Sequence, residues 1–251
     1  MSADAAQLFS LDRQRFMPAP GARFACLDVE TGHAPEEAVQ SAIASWKPPA
    51  NCTKLATIAE KRQEASERIR EQSALLDVAP IICVGLQTDT EACEFNAMGA
   101  CQVPTVPGWT VRHCGSEREL LSALATWLDD HTDPATELVG HNIAGFDLLK
   151  LRGAYVRHGR ALPGGLRVGA GGFQPLFDTM KMFRFFSPEN RDNLFPGLDL
   201  ICQTFALERP KQHISGADVP RLHAEGRFVE ILLYNMGDVM ATVSVYQRMT
   251  A

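Results

Sequence analysis

The chain contains no Cys-x-x-Cys pair, although it has seven cysteines. An odd number of thiols without that spacing is neither a zinc pattern nor a disulfide framework, and it points to free thiols in a reducing compartment. Positive charge is not in surplus either: 24 Lys and Arg stand against 30 Asp and Glu, for a net charge of −6. This argues against nucleic-acid binding through overall charge, and leaves clustered cations or bound metal ions as the ways to hold a polyanion. No apolar run approaches the ~20 residues of a membrane span, and the N-terminus lacks the basic-then-apolar order of a secretory signal. The expectation is a cytoplasmic protein with no membrane partner. What the chain does have is 251 residues, 45% of them hydrophobic and 22% charged, enough to bury a full core as one domain with an insertion.

Residues 1–22 are mixed in pattern and read as a loose N-terminal leader ahead of a domain over 23–251. The stretch Arg23-Phe-Ala-Cys-Leu-Asp-Val-Glu-Thr31 reads as a buried strand. Its pairing partner is delayed by an insertion over 33–76, which holds Trp46-Lys-Pro-Pro49 and then a charged helix at 58–76 with a thin apolar face. Strands are expected at 79–86, near Glu94-Phe95 and near Trp109–Arg112. Ser116-Glu-Arg-Glu119 is a capping box, and it opens a helix whose apolar face is Leu120, Leu121, Leu124, Trp127 and Leu128. Glu137-Leu-Val-Gly-His141 is another short strand, followed by Asn142-Ile-Ala-Gly-Phe-Asp147 and a helix through Leu148, Leu149, Leu151 and Tyr155. Further helices are expected near 198–205 and 228–249. This order predicts an α/β protein with a mixed central sheet flanked by helices.

Four acids then need weighing together. Asp28 and Glu30 are two apart on a strand and project from one face, where each raises the other's pKa unless a cation lies between them. A strand running into a polar turn, with both acids solvated, is the alternative. Asp147 follows a later strand at its passage into a helix, and ligands of open α/β sheets collect at that carboxyl edge. Tyr234 and Asp238 are four apart on the last helix and share one face; alone, such a pair is more often a surface hydrogen bond.

Asp28-x-Glu30, His141-Asn142-x-x-x-Phe146-Asp147 and Tyr234-x-x-x-Asp238 occur in the order and context of the three exonuclease motifs of the DEDD superfamily. The chain resembles its DEDDy branch of 3′–5′ exonucleases, in particular stand-alone members related to the proofreading domain of family-B DNA polymerases. Phe177-Asp-Thr-Met180, Leu198-Asp-Leu-Ile201 and Ile214-Ser-Gly-Ala-Asp-Val219 add to that resemblance, which covers about residues 23–248. It implies an RNase H-like fold and hydrolysis of phosphodiesters from the 3′ end of single-stranded DNA with two divalent cations, Mg²⁺ or Mn²⁺. In that scheme Asp28 bridges both ions, Glu30 and Asp238 complete the first site, Asp147 holds the second through water, and Tyr234 orients the attacking water. Carboxylate oxygens suit such hard cations, and two ions ~3.5–4 Å apart suit in-line displacement.

Thr31, His141, Asn142 and Lys211 are expected substrate contacts, each with a structural alternative: a turn residue for Thr31, a satisfied hydrogen bond for His141. Phe146 reads as core. Lys150, Arg152, Arg157, Arg160 and Arg167, and then Lys181, Arg184 and Arg191, could grip phosphates or only solvate a face. The glycines at 164–172 lack the Lys-Ser/Thr ending of a phosphate loop. Three other readings stay open: an exoribonuclease of the same chemistry, a non-catalytic nucleic-acid-binding module, and a small-molecule nucleotide hydrolase. A polymerase or recombination protein acting in trans is the expected protein partner.

Overall fold

Phe24–Thr31 forms strand β1, and its side chains alternate between two cores. Ala25, Leu27 and Val29 pack into the larger one, while Phe24 and Cys26 join a second cluster on the opposite face. Period-2 alternation makes a strand apolar on both faces only when helices cover both. The structure, a computed structural model, describes residues 22–168, 174–186, 196–208 and 214–251. Apart from Ala22, the expected leader lies outside the described residues.

Strands β2 (Ile81–Thr88), β3 (Ala92–Asn96), β4 (Trp109–His113), β5 (Glu137–Gly140) and β6 (Leu176–Asp178) complete a mixed six-stranded sheet in the order β4-β3-β2-β1-β5-β6. β2 runs antiparallel to β1 and β3; the β1–β5, β5–β6 and β3–β4 pairs are parallel. The β1–β2 register places Asp28 opposite Gly85 and Glu30 opposite Cys83, and it shifts between Glu30 and Thr31.

The insertion carries two helices, α1 (Glu36–Ser45) and α2 (Leu55–Glu71), where the sequence suggested one over 58–76. α1 escaped notice because it buries only Val39. Helix α3 (Glu117–His131) begins as expected: the Ser116 hydroxyl accepts from the Glu119 amide at 3.2 Å, and Leu120, Leu121, Leu124, Trp127 and Leu128 are its buried residues. The Glu119 carboxylate reaches one residue further back than a capping box requires, accepting from the Gly115 amide at 2.7 Å. α3 and α4 (Asp147–Arg157) cover the face of Ala25, Leu27 and Val29. After α5 (Thr179–Phe186), α6 (Leu198–Thr204) and α7 (Val219–Ala224), the long helix α8 (Phe228–Thr250) covers the other face, with Val239 and Val243 against Phe24 and Cys26.

α8 corrects one expectation: it is long and apolar enough, by length and composition, to cross a membrane. Tyr234, Asn235 and Asp238 interrupt its run, the mean hydropathy of its apolar window still reaches 1.3, and 61% of that window is buried inside the fold. All seven cysteines are free, as their spacing suggested.

Leu124 is fully buried between α3 and the sheet. Leu124→Ala removes that packing and leaves a cavity, so a loss of about 2–5 kcal/mol is expected in urea denaturation; an unchanged midpoint would place the core elsewhere.

Candidate metal centre

Asp28 and Glu30 leave β1 on the face that α8 covers, and α8 brings Asp238 down onto them. Each of the three acids offers one ligand oxygen, and these oxygens all lie within 4.8 Å of one another. The sheet supplies two acids through its period of two, and the helix supplies the third. Asp147, the first residue of α4, is buried, and its Oδ1 accepts the backbone N–H of Val29 at 2.9 Å. Its carboxyl is thereby tied to the strand residue between Asp28 and Glu30, beside the three-acid cluster. All four acids expected at the site thus gather at β1.

The electrostatics of this arrangement are adverse without a cation. Burial pushes the Asp28 carboxyl well above the usual carboxylate range, and the charges of Asp147, Glu30, Asp238 and Glu94 add to the rise. Asp147 is pushed up to about 8, again first by burial; Asp178 and Asp238 contribute, and backbone N–H bonds oppose. A divalent cation inverts this balance, because it favours the ionised form of every carboxyl around it. Three hard oxygen donors at this separation fit a cation that prefers oxygen.

Tyr234 is buried over the same cluster, with its hydroxyl hydrogen-bonded to Asp238. Burial first, then Glu30, Asp238 and Asp28, drive its pKa far above that of ordinary tyrosine. The phenol stays protonated at neutral pH, so it is a hydrogen-bond donor and not a free base.

The remaining expected contacts are used within the fold. The Thr31 hydroxyl, at the end of β1, is buried and donates to the Ala74 carbonyl at 3.0 Å. His141 Nδ1 lies 3.0 Å from the Thr179 hydroxyl, also a structural bond. Asn142 adopts φ 56°, a conformation asparagine tolerates. Its amide donates to Asp178 Oδ1 at 3.1 Å, and its carbonyl accepts from Gly145 and Phe146, which turns the chain toward Asp147. Lys211 lies outside the described residues, as does Arg191.

The basic stretch after Asp147 is largely structural. Lys150 is buried and donates to the Ala74 and Leu76 carbonyls, with its ammonium 5.4 Å from the Phe146 ring centroid. Phe146 itself is half-buried, less than the core position expected of it. Arg157 binds the Asp77 carbonyl and Glu117, Arg160 binds Ser122, and Arg167 binds the Leu162 carbonyl. Arg152 and Arg184 remain exposed, and Lys181 is exposed beside Asp178 at 3.7 Å.

Sequence reasoning missed four participants. Asn235 is fully buried, and its Nδ2 donates to Asp28 Oδ2 at 2.7 Å. Glu94, fully buried on β3, is pushed well above the carboxylate range by burial. Gly85 lies between them: a Cβ there would stand 2.4 Å from Asn235 Oδ1, 2.8 Å from Glu94 Oε2 and 3.0 Å from Val239 Cγ2. Asp178 organises the turn at Asn142 and accepts from the Met180 amide at 3.2 Å. The available signals were an isolated glycine inside an apolar strand, which marks a close approach, and an acid flanked by Cys93 and Phe95.

In comparisons with known proteins, no family model matches this chain and no curated protein is significantly similar to it.

Two outcomes follow from the geometry. Asp147 has a folded pKa near 8 against an unfolded value of about 3.9, so between those pH values the metal-free folded state binds the extra proton and loses stability as pH rises. The melting temperature of EDTA-treated protein should fall from pH 5 to 8, and Asp147→Asn should flatten that fall; a flat wild-type profile would contradict the burial argument. Gly85→Ala should destabilise by about 1–3 kcal/mol through the forced shift of Asn235 and Glu94. It should also weaken Mn²⁺-induced stabilisation, because Asn235 would move off Asp28; wild-type midpoints with and without Mn²⁺ would show that the glycine is dispensable.

Proposed function

We propose that this chain is a metal-dependent 3′–5′ exonuclease of the DEDDy type on an RNase H-like fold, acting on single-stranded DNA. The observation that carries this reading is the convergence of Asp28, Glu30 and Asp238 within 4.8 Å, with Asp147 held on the Val29 amide beside them. The mixed sheet with helices on both faces is compatible with that fold.

When bound, two divalent cations, Mg²⁺ or Mn²⁺, would stabilise charge on the attacking and leaving oxygens of an in-line phosphoryl displacement. Asp28, Glu30 and Asp238 are the residues to hold the first, and Asp147 contributes to the second. Asn235 fixes the rotamer of Asp28 by donating to Oδ2, which orients that carboxylate before a cation arrives. Tyr234 would orient a water through its hydroxyl; in the cation-free site its raised pKa keeps the phenol protonated at neutral pH. A site of this kind takes one chain end at a time, and a single strand presents that end without the cost of unpairing.

The test is incubation of 5′-labelled single-stranded DNA with Mg²⁺ or Mn²⁺, alongside matched RNA. Wild type should give a ladder shortening from the 3′ end, and EDTA or Asp28→Ala should reduce it to background. Tyr234→Phe should lower the rate by roughly 10²-fold, the low end for a lost proton-handling group. Folded wild-type protein that leaves both DNA and RNA intact with either ion would overturn the proposal.

A further inference from the structure

The helical insertion carries a cleft of about 250 Å³ that no step above uses. Trp46, Lys47 and Pro49 form one wall, and Lys61, Glu64 and Arg68 of α2 form the other. Three cations thus face one carboxylate, in a chain whose overall charge is negative. α2 offers other ways to neutralise them: Glu64 precedes Arg68 by one turn, the favourable order for a helix ion pair. Yet among the described residues none of Lys47, Lys61, Glu64 and Arg68 forms an ion pair. Arg70, on the same helix, does pair, with Glu36 of α1 at 2.9 Å. Of the α2 cations, Lys61, Arg62 and Arg68 form no ion pair among the described residues, and two of these, Lys61 and Arg68, line the cleft.

Trp46 is half-buried where α1 ends, its backbone extended at φ −63° and ψ 135°. Lys47-Pro48-Pro49 follows, and successive prolines hold that segment extended. The indole is therefore presented by a stiff stretch of backbone, which lowers the entropy lost when a flat ligand stacks on it. The unit is also fixed to the acid-bearing strand. α1 starts five residues after Thr31, and the turn after α2 is pinned where the Ala74 carbonyl accepts from both the Thr31 hydroxyl and Lys150. Val39, Ile43, Ile69 and Leu76 pack with Ala34 and Ala79, closing the insertion onto the body.

We infer that this cleft binds a segment of single-stranded nucleic acid, with one base stacked on Trp46 and the flanking phosphates on Lys47, Lys61 and Arg68. Its size is below the ~300 Å³ of sites for drug-sized ligands, and it suits one nucleotide unit of a longer chain. An aromatic face beside cations is the arrangement that takes any base while tracking the backbone. The inference rests on the nucleic-acid reading of the site above, and gives that reading a second point of contact on the substrate.

The test uses the full chain in EDTA, so that binding is read without hydrolysis. The probe is an oligothymidylate of about twelve nucleotides, within the range of sites that stack bases along one strand. Fluorescence anisotropy should show roughly tenfold weaker binding for Lys61→Glu/Arg68→Glu, and the salt dependence of the logarithm of affinity should lose about 0.7 per phosphate contact removed. The oligonucleotide should quench tryptophan emission in wild type, and Trp46→Leu should abolish that quench while Trp109 and Trp127 remain. An abasic phosphodiester oligomer should bind more weakly and quench little. Unchanged affinity in the charge-reversed variant, with circular dichroism confirming its fold, overturns the inference. So does equal binding of the abasic oligomer with no Trp46 quench, which would mark a general polyanion surface. If the cleft variants lose binding but wild type hydrolyses nothing, the cleft stands and the nuclease reading falls. Hydrolysis with indifferent cleft variants gives the reverse.

Discussion

The crowding of carboxylates around one strand is the constraint on which the rest of this structure depends. β1 places Asp28 and Glu30 on one face because strand side chains repeat every two residues. α8 then lowers Asp238 onto them, and Asp147 is drawn to the amide of Val29 between them. Each added acid raises the cost of ionising the others, which is why Asp28 and Asp147 are held above the carboxylate range. A fold built only for stability would place apolar residues here, as it does at Ala25, Leu27 and Val29 on the opposite face. The arrangement is stable in two ways, with protons on the acids or with cations among them, and these two states respond to pH in opposite directions.

The surroundings are shaped to that requirement. Gly85 opposite Asp28 leaves the space in which Asn235 and Glu94 meet the strand, and a Cβ there would force both to shift. Asn235 donates to Asp28 without adding charge. Glu94, its carboxyl pushed up by burial, fills buried space under the site. Asp178 does its work on backbone amides at the Asn142 turn, which sets the start of α4 and hence the position of Asp147.

Much of this was legible in the sequence, and the misses have physical reasons. β1, β5 and α8 were readable as apolar runs, and α3 by its periodic apolar face, with the Ser116 cap marking its start. Spacing showed only that Asp28 and Glu30, and Tyr234 and Asp238, share faces; it was the resemblance to the three exonuclease motifs that drew the four acids and Tyr234 into one expected site. Asn235 and Glu94 were not readable, since their roles depend on contacts between β2, β3 and α8 that lie far apart in the chain. α1 was missed for want of an apolar stripe. The basic stretch after Asp147 misled because charge in a sequence does not reveal its partner: Lys150 looked like a phosphate contact and is a buried clamp on the Ala74 and Leu76 carbonyls.

That correction changes where a polyanion could be gripped. With Lys150, Arg157, Arg160 and Arg167 engaged by carbonyls, Glu117 and Ser122, the basic run behind the acid site is committed to holding α4 and its neighbours in place. A four-carboxylate site repels phosphate unless cations intervene, so affinity for a nucleic-acid strand needs positive charge at a distance from the chemistry. In the insertion such charge is left without an ion-pair partner among the described residues, in a cleft that Trp46 also lines. Two of its attachments, through Thr31 and Lys150 to the Ala74 carbonyl, tie it to the residue after Glu30 and to the helix that begins at Asp147. Displacement of the insertion would therefore act on both sides of the acid cluster, so the element with the weakest apolar signal in the sequence is mechanically coupled to the residues with the clearest one.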